Sequence, residues 1–286
     1  MARALIAGCG YLGRALADLL ATNSWEIEGW TLSPESAREL SEAGHRARPI
    51  DISNEQQVAA QKGGFDAVIH CASTRGGDVD AYRRTYLDGA RNLVRQFPDA
   101  RLVFTSSTSV YAQSNGEEVS EESVAEPRHK SGKVLREAEN LVLTHGAVVA
   151  RLGGIYGPGR SALLKKFLSG EASIDPTSDR FINQIHRDDA ARAIHLLLNS
   201  AATAGLIYNV VDNEPILLSE CYRWLAAKLS RPLPAHGTST SKRKRGESNK
   251  RVSNAKLRGL GWAPQYPTFA DGMEKSVLPS FRVSTV

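Results

Sequence analysis

A chain of 286 residues with 41% hydrophobic and 23% charged content is ordinary globular material, long enough for one large domain or a domain with a smaller annex. The formal charge of +5 is modest, and part of it sits in the single run Lys242, Arg243, Lys244, Arg245, too local to indicate a nucleic-acid partner. Cys9, Cys71 and Cys221 are odd in number and far apart, without the spacing of a zinc site or a redox pair, which predicts reduced thiols in a cytoplasm. The apolar stretch Ala4 to Ala7 before Cys9 falls short of the roughly 7 to 15 residues of a signal peptide. No segment approaches the roughly 20 apolar residues of a membrane span. The expectation is a soluble cytoplasmic protein with a small-molecule substrate, no nucleic acid and no membrane; the oligomeric state stays open.

Short apolar runs alternate with helical patterns through the first two-thirds. "ARALIAG", "WEIEGWTL", "RARPI", "FDAVIHCA", "ARLVFTSS" and "GAVVARL" read as strands. Between them lie "YLGRALADLLA", "PESARELSEAG", "NEQQVAAQ", "YRRTYLDGARNLVRQF" and "RHKSGKVLREAENLV", whose Val134, Leu135, Ala138, Leu141 and Val142 fall on one helical face. Strands joined by helices predict an α/β fold, a doubly wound parallel Rossmann-type sheet with ligands at the carboxyl ends of its strands. After Gly153 the alternation breaks. Residues 153–182 and 212–286 are assigned to a smaller substrate lobe with "SALLKKFLSG" and "LSECYRWLAAKL" as helices, and 183–211 return to the sheet domain of residues 1–152. Residues 235–254 read as a polar loop.

"ALIAGCGYLGRALADLL" sets Gly8, Gly10 and Gly13 in G-x-G-x-x-G spacing between a strand and a helix. Such glycines permit a tight turn, backbone approach to a pyrophosphate and close helix packing, while the helix N-terminus offers free amides. Tyr11 and Leu12 complete the expected cofactor loop. A fold of this kind that prefers NAD ends its second strand in an acid for the ribose hydroxyl; "GWTLSPE" has none before Glu35. Ser33, with Arg14 or Arg38, suits the 2'-phosphate of NADP better than a carboxylate would, so NADP is expected over NAD.

"IAGCGYLG", "PIDI", "VIHCAS", "LVFTSSTSVYA", "RLGGIYGPGR" and "INQIHRDDAARAI" together resemble the extended short-chain dehydrogenase/reductases, the NAD-dependent epimerase/dehydratase group, from about Arg3 to Gly272. The resemblance implies that Asp51 and Ile52 lie beside the adenine and that Cys71, Ala72 and Ser73 pass along the cofactor. Asp51 also fits a helix cap. Arg151 is counted with the cofactor-binding residues.

Relatives use a Ser or Thr at the end of the fifth strand, a Tyr as acid/base and a Lys four residues later that lowers the phenol's pKa. Ser107, four residues before Tyr111, matches the first. When "SGKVLREAENLVL" is laid on the tyrosine helix by its "AENLVL" end, Ser131 takes the Tyr position and Leu135 the Lys position. A register shifted by two residues pairs His129 with Lys133 one turn apart, with imidazole replacing phenol and Ser131 as the N-cap. The first register also places Gly132, Ala138 and Glu139 on their counterparts. It implies an atypical member in which the nucleotide motif is kept and the Tyr-Lys pair is lost.

Toward the substrate, Tyr156 and Arg160 are expected near the cleft mouth. Arg160, Lys250 and Arg251 are candidate phosphate ligands for a substrate such as a nucleoside-diphosphate sugar. His186, Asp188 and Asp189 are not read as a metal site; an aspartate starting the following helix explains them better. The functional expectation is an epimerase/dehydratase-like or reductase-like protein acting on a sugar nucleotide or small carbonyl. The alternative is a non-catalytic NADP-dependent sensor or scaffold.

Overall fold

A computed structural model describes residues 1–74, 76–237 and 248–283. Its centre is a seven-stranded sheet. In chain order the strands are β1 (Arg3–Ala7), β2 (Glu26–Thr31), β3 (Arg46–Pro49), β4 (Ala67–His70), β5 (Arg101–Ser107), β6 (Val148–Leu152) and β7 (Ile207–Val210). They lie in the order β3-β2-β1-β4-β5-β6-β7, and every pairing is parallel. The order reverses between β1 and β4, which opens a crevice at the carboxyl ends of those strands. The six expected strands are present, and the seventh comes from "LIYNVV".

Both sheet faces are covered, so the strands read as apolar runs rather than alternating ones. Ala4 and Ile6 of β1 enter one core cluster with Leu16, Leu20 and Ile194, while Leu5 and Ala7 enter the other with Leu93, Val134 and Ala138. The Tyr11–Thr22 helix buries Leu12, Leu16 and Leu20 with Gly13 and Ala17 between them, a stripe at three- and four-residue spacing. The Lys130–Leu143 helix buries Val134, Leu135, Ala138 and Val142; Gly146, at φ 71°, follows it.

The smaller lobe has its own core, in which Leu164 and Phe167 of the Ala162–Leu168 helix meet Cys221, Tyr222 and Leu225 of the Leu218–Leu229 helix, with Phe269 and Met273. The boundary at 212 is less clean than expected. Leu257 and Trp262 bury against the sheet side, in the cluster of Leu16 and Ile194. The expected loop 235–254 is likewise interrupted, because Lys250–Val252 forms a strand beside Glu117–Val119. The basic run 242–245 lies outside the described residues. Among the described residues no helix is long and apolar enough to cross a membrane.

Candidate functional site

The glycine loop leaves β1 at the crevice. Gly8 has φ 95°, and a Cβ there would stand 2.2 Å from the Ala72 nitrogen, so only glycine allows the loop to lie against the Cys71–Ala72 backbone. A Cβ on Gly13 would meet the Gly8 carbonyl oxygen at 2.8 Å. Gly10 differs: its Cβ would meet nothing within 4 Å. The fold therefore closes two sides of the loop and leaves the third open, at the N-terminus of a twelve-residue helix whose first amides lack carbonyl partners. These residues fit a dinucleotide pyrophosphate.

Tyr11 turns from this helix toward the smaller lobe. Its hydroxyl donates to the Pro158 carbonyl at 3.0 Å, and the guanidinium carbons of Arg160 and Arg187 lie 5.2 and 5.1 Å from its ring centre. Burial pushes the phenol up to about 12 despite both arginines. Arg160 thus stands beside the glycine loop. Arg187 was not singled out by the sequence pattern.

At the far end of the crevice, the only acids of β2 stand short of its end. Glu28 is buried, accepts from Trp30 Nε1 at 2.9 Å and faces Arg46 and Arg48. Ser33 caps the Pro34–Glu42 helix by accepting from the Ser36 amide at 3.2 Å. Arg14 is engaged with Glu39 at 2.7 Å, while Arg38 is exposed. Asp51 accepts from the amide and hydroxyl of Ser53, and Asn54, not Asp51, caps the next helix. Ile52 is buried, and its carbonyl takes the Asn92 amide at 2.9 Å. Cys71 and Ala72 are half-buried and Ser73 is exposed.

Ser107 ends β5, and its hydroxyl accepts from the Ser109 amide at 3.2 Å. The helix expected to carry a tyrosine starts at Lys130, with His129 at its N-cap and no side-chain cap. This corrects the capping role given to Ser131, which lies half-buried in the first turn. His129 and Lys133 are both exposed. Leu135 is buried in an apolar cluster with Val110, Tyr111, Val119, Val211 and Val252. Tyr82 and Tyr86, from the facing helix, pack against that same cluster, with ring centres 5.1 Å apart.

Arg151 requires a correction. It is 1% exposed, and its guanidinium grips Glu139 twice, at 3.0 and 2.7 Å, and donates to the Tyr111 hydroxyl at 2.8 Å. Glu139 also accepts from Ser106 at 2.6 Å and pairs with Arg136, and Tyr111 donates to Asn209 at 2.9 Å. Each of its three guanidinium nitrogens donates inside the fold, so Arg151, sealed at 1% exposure, ties the helix to the sheet.

Tyr156 is also misplaced by the sequence pattern. It is 2% exposed, in the core of the smaller lobe, with its ring against Gly272. Arg251 is exposed, donates to the Gly116 carbonyl at 3.0 Å and covers the Phe181 ring. Lys250 is 4% exposed. His186 caps its helix by accepting the Asp188 amide at 3.2 Å, and burial lowers it to about 4. Asp189 clasps the Gln265 and Tyr266 amides at 2.6 and 2.8 Å. Among the described residues no cluster could hold a metal ion.

Comparison with known proteins agrees with this geometry. The chain is 31% identical to protein YeeZ of Escherichia coli over 223 residues, 73% of this chain and 77% of that protein. It is 25% identical to a 2-alkyl-3-oxoalkanoate reductase of Stenotrophomonas maltophilia over 248 residues, 79% of this chain and 74% of that enzyme. The solved structure of a putative NAD-dependent epimerase/dehydratase from Methylobacillus flagellatus is similar over 98% of this chain and 99% of its own, with TM-score 0.79 and 29% identity. Residues 4–210 match the NAD dependent epimerase/dehydratase family. With the crevice, the glycine loop and these likenesses in agreement, the chain belongs to the NAD-dependent epimerase/dehydratase family.

Proposed function

We propose that the protein is an NADP-binding enzyme that exchanges a carbonyl for an alcohol on a small substrate, without the family's Tyr-Lys dyad. The observation that carries this is the glycine loop, filled at Gly8 and Gly13 and open at Gly10. The acid-free end of β2 supports NADP over NAD, since no free carboxylate awaits a ribose hydroxyl there. When bound, the nicotinamide supplies or takes a hydride. Ser107, at the carboxyl end of β5, orients the reacting oxygen through its hydroxyl while the proton that accompanies the hydride is exchanged with solvent, and Ser131, in the first turn of the Lys130–Leu143 helix, is the other hydroxyl proposed for the site. The name of the Stenotrophomonas relative supports a substrate bearing a carbonyl near a carboxylate, alongside the sugar-nucleotide class that the family resemblance implies.

A second reading, a dinucleotide-dependent sensor without turnover, is favoured by the apolar burial of Leu135. The test is calorimetric titration with NADPH and NADH at one salt concentration, followed by a screen of 3-oxo acids and UDP-sugars. Tight NADPH binding, weak NADH binding and turnover lost in Ser107→Ala are expected. Binding of neither nucleotide would refute the cofactor site, and binding without turnover would leave the sensor.

A further inference from the structure

A carbonyl that takes a hydride also needs a proton, and most of the eight tyrosines are placed where they cannot give one at the end of β5. Tyr11 donates to Pro158 and Tyr111 to Asn209. Tyr156 and Tyr222 lie in the core of the smaller lobe, Tyr208 is buried in β7, and the Tyr266 ring centre is 3.9 Å from that of His186. Tyr82 and Tyr86 remain, both half-buried on the chain that follows β4. Asp78 caps the Val79–Tyr82 helix by accepting the Ala81 amide at 2.8 Å, which fixes where the helix begins. A π-helical stretch, Arg83–Asp88, continues it, and such stretches recur at functional sites. Arg83 pairs with Glu137 at 3.3 Å, joining this segment to the Lys130–Leu143 helix.

The two rings stand at different heights. Tyr86 lies 6.4 Å from the Phe104 ring and is stacked at 6.0 Å on His70, so it sits beside the sheet. Tyr82 is one turn earlier in a crossover helix, which runs back against the strands, and so lies roughly 6 Å nearer their carboxyl edge. Ser107 ends β5 three residues beyond Phe104, roughly 10 Å along the same direction. The Tyr82 ring, 5.1 Å from that of Tyr86, is thereby carried toward the level of Ser107. It packs against the cluster of Val110, Tyr111 and Leu135, the first two from the segment after Ser107 and the third one turn along the helix from Ser131. We propose that Tyr82 supplies the acid/base phenol of this crevice, from the helix after β4 in place of the helix that carries it in relatives. This rests on the reading of the chain as a carbonyl–alcohol oxidoreductase and deepens it by naming the group that hands on the proton drawn from solvent.

In reduction the Tyr82 O–H bond breaks and its proton passes to the substrate oxygen, while the carbonyl carbon takes a hydride from the reduced nicotinamide. The electron pair of the C=O π bond becomes the new O–H bond, and water returns a proton to the phenolate, which a half-buried ring allows. Oxidation of the alcohol reverses each bond. The proteins compared are wild type, Tyr82→Phe and Tyr86→Phe, since phenylalanine keeps the ring packing and removes only the hydroxyl. Each is assayed for NADPH-dependent reduction of acetoacetate and ethyl acetoacetate, for NADPH affinity by calorimetry and for its urea midpoint. A second readout needs no turnover: 3-fluorotyrosine is placed at position 82 and, separately, at position 222 in the core of the smaller lobe, and the fluorine resonance is followed as NADPH is added.

Tyr82→Phe is expected to lose about 100-fold or more in kcat, the lower end of what a positioned general acid contributes, with KM, NADPH affinity and the urea midpoint unmoved. A packing role would not produce that split. Tyr86→Phe keeps its kcat, and the label at 82 shifts with NADPH while the label at 222 stays still. If NADPH binds but the label at 82 does not respond, if neither carbonyl is reduced, or if Tyr82→Phe keeps its turnover, Tyr82 is not the proton carrier and the proposal is overturned. Should NADPH not bind at all, the calorimetry shows that the cofactor reading itself has failed, and this proposal falls with it.

Discussion

Replacing Glu139 by Gln is the sharpest test of how the Lys130–Leu143 helix is held. Glu139 is 0% exposed and Arg151 1%, so the substitution keeps shape but leaves a guanidinium buried with no counter-charge. Two Arg151 hydrogen bonds, at 3.0 and 2.7 Å, and the Ser106 hydroxyl bond at 2.6 Å lose their anionic acceptor, and the new amide sets its own protons against some of those donors. Breaking one side of a buried pair costs about 3 to 5 kcal/mol, whereas an exposed pair costs under about 1 kcal/mol. Arg136, at 26% side-chain exposure, recovers its hydration and adds little. Urea unfolding followed by tryptophan fluorescence measures the loss. The double variant Glu139→Leu with Arg151→Met should recover most of it, because removing both charges removes the unpaired one. A loss below about 1 kcal/mol in Glu139→Gln would mean that water reaches Arg151 and that the network is not the anchor described.

Gly10→Ala should leave stability within about 1 kcal/mol of wild type, because its Cβ meets nothing. It should weaken NADPH at least tenfold in calorimetry, and equal affinity would remove the pyrophosphate from this loop. Gly8→Ala, at φ 95° and 2.2 Å from Ala72 nitrogen, should instead unfold at clearly lower urea, and unchanged stability would refute the contact. His70 is 0% exposed, and burial holds it down to about 4 from 6.5. A depressed imidazole gives stability that is present above pH 6.5 and lost as pH falls toward 4. His70→Phe should flatten that acid limb in urea unfolding across pH 7 to 4.5, and an unchanged slope would show that His70 does not govern it.

The alternation of "ALIAG", "AVIH" and "VVA" with helical patterns was enough to specify a doubly wound sheet, because a parallel strand needs a crossover and a strand covered on both faces needs apolar residues throughout. The glycine spacing was equally legible as a motif between a strand and a helix, although only Gly13 answers a neighbour in sequence, the Gly8 carbonyl; the contact that demands Gly8 comes from Ala72, and Gly10 meets nothing. The proposal that the Tyr and Lys positions are vacant rests on laying one helix on the family pattern, which puts Ser131 and Leu135 there; Leu135 is buried in an apolar cluster.

Tertiary structure decided what an arginine, a tyrosine or a lysine is for. Arg151 and Arg160 are nine residues apart and look alike as cationic candidates, yet one is sealed against Glu139 and the other stands over Tyr11. Their charges are the same; their partners lie 12 residues away in one case and on the glycine loop in the other. Lys250 follows a polar stretch that reads as solvated loop, and only the pairing of its strand with Glu117–Val119 buries it. Sequence periodicity reports which face of an element is apolar. It does not report which distant segment will cover a polar side chain, and that contact sets the cost of its charge and therefore its use.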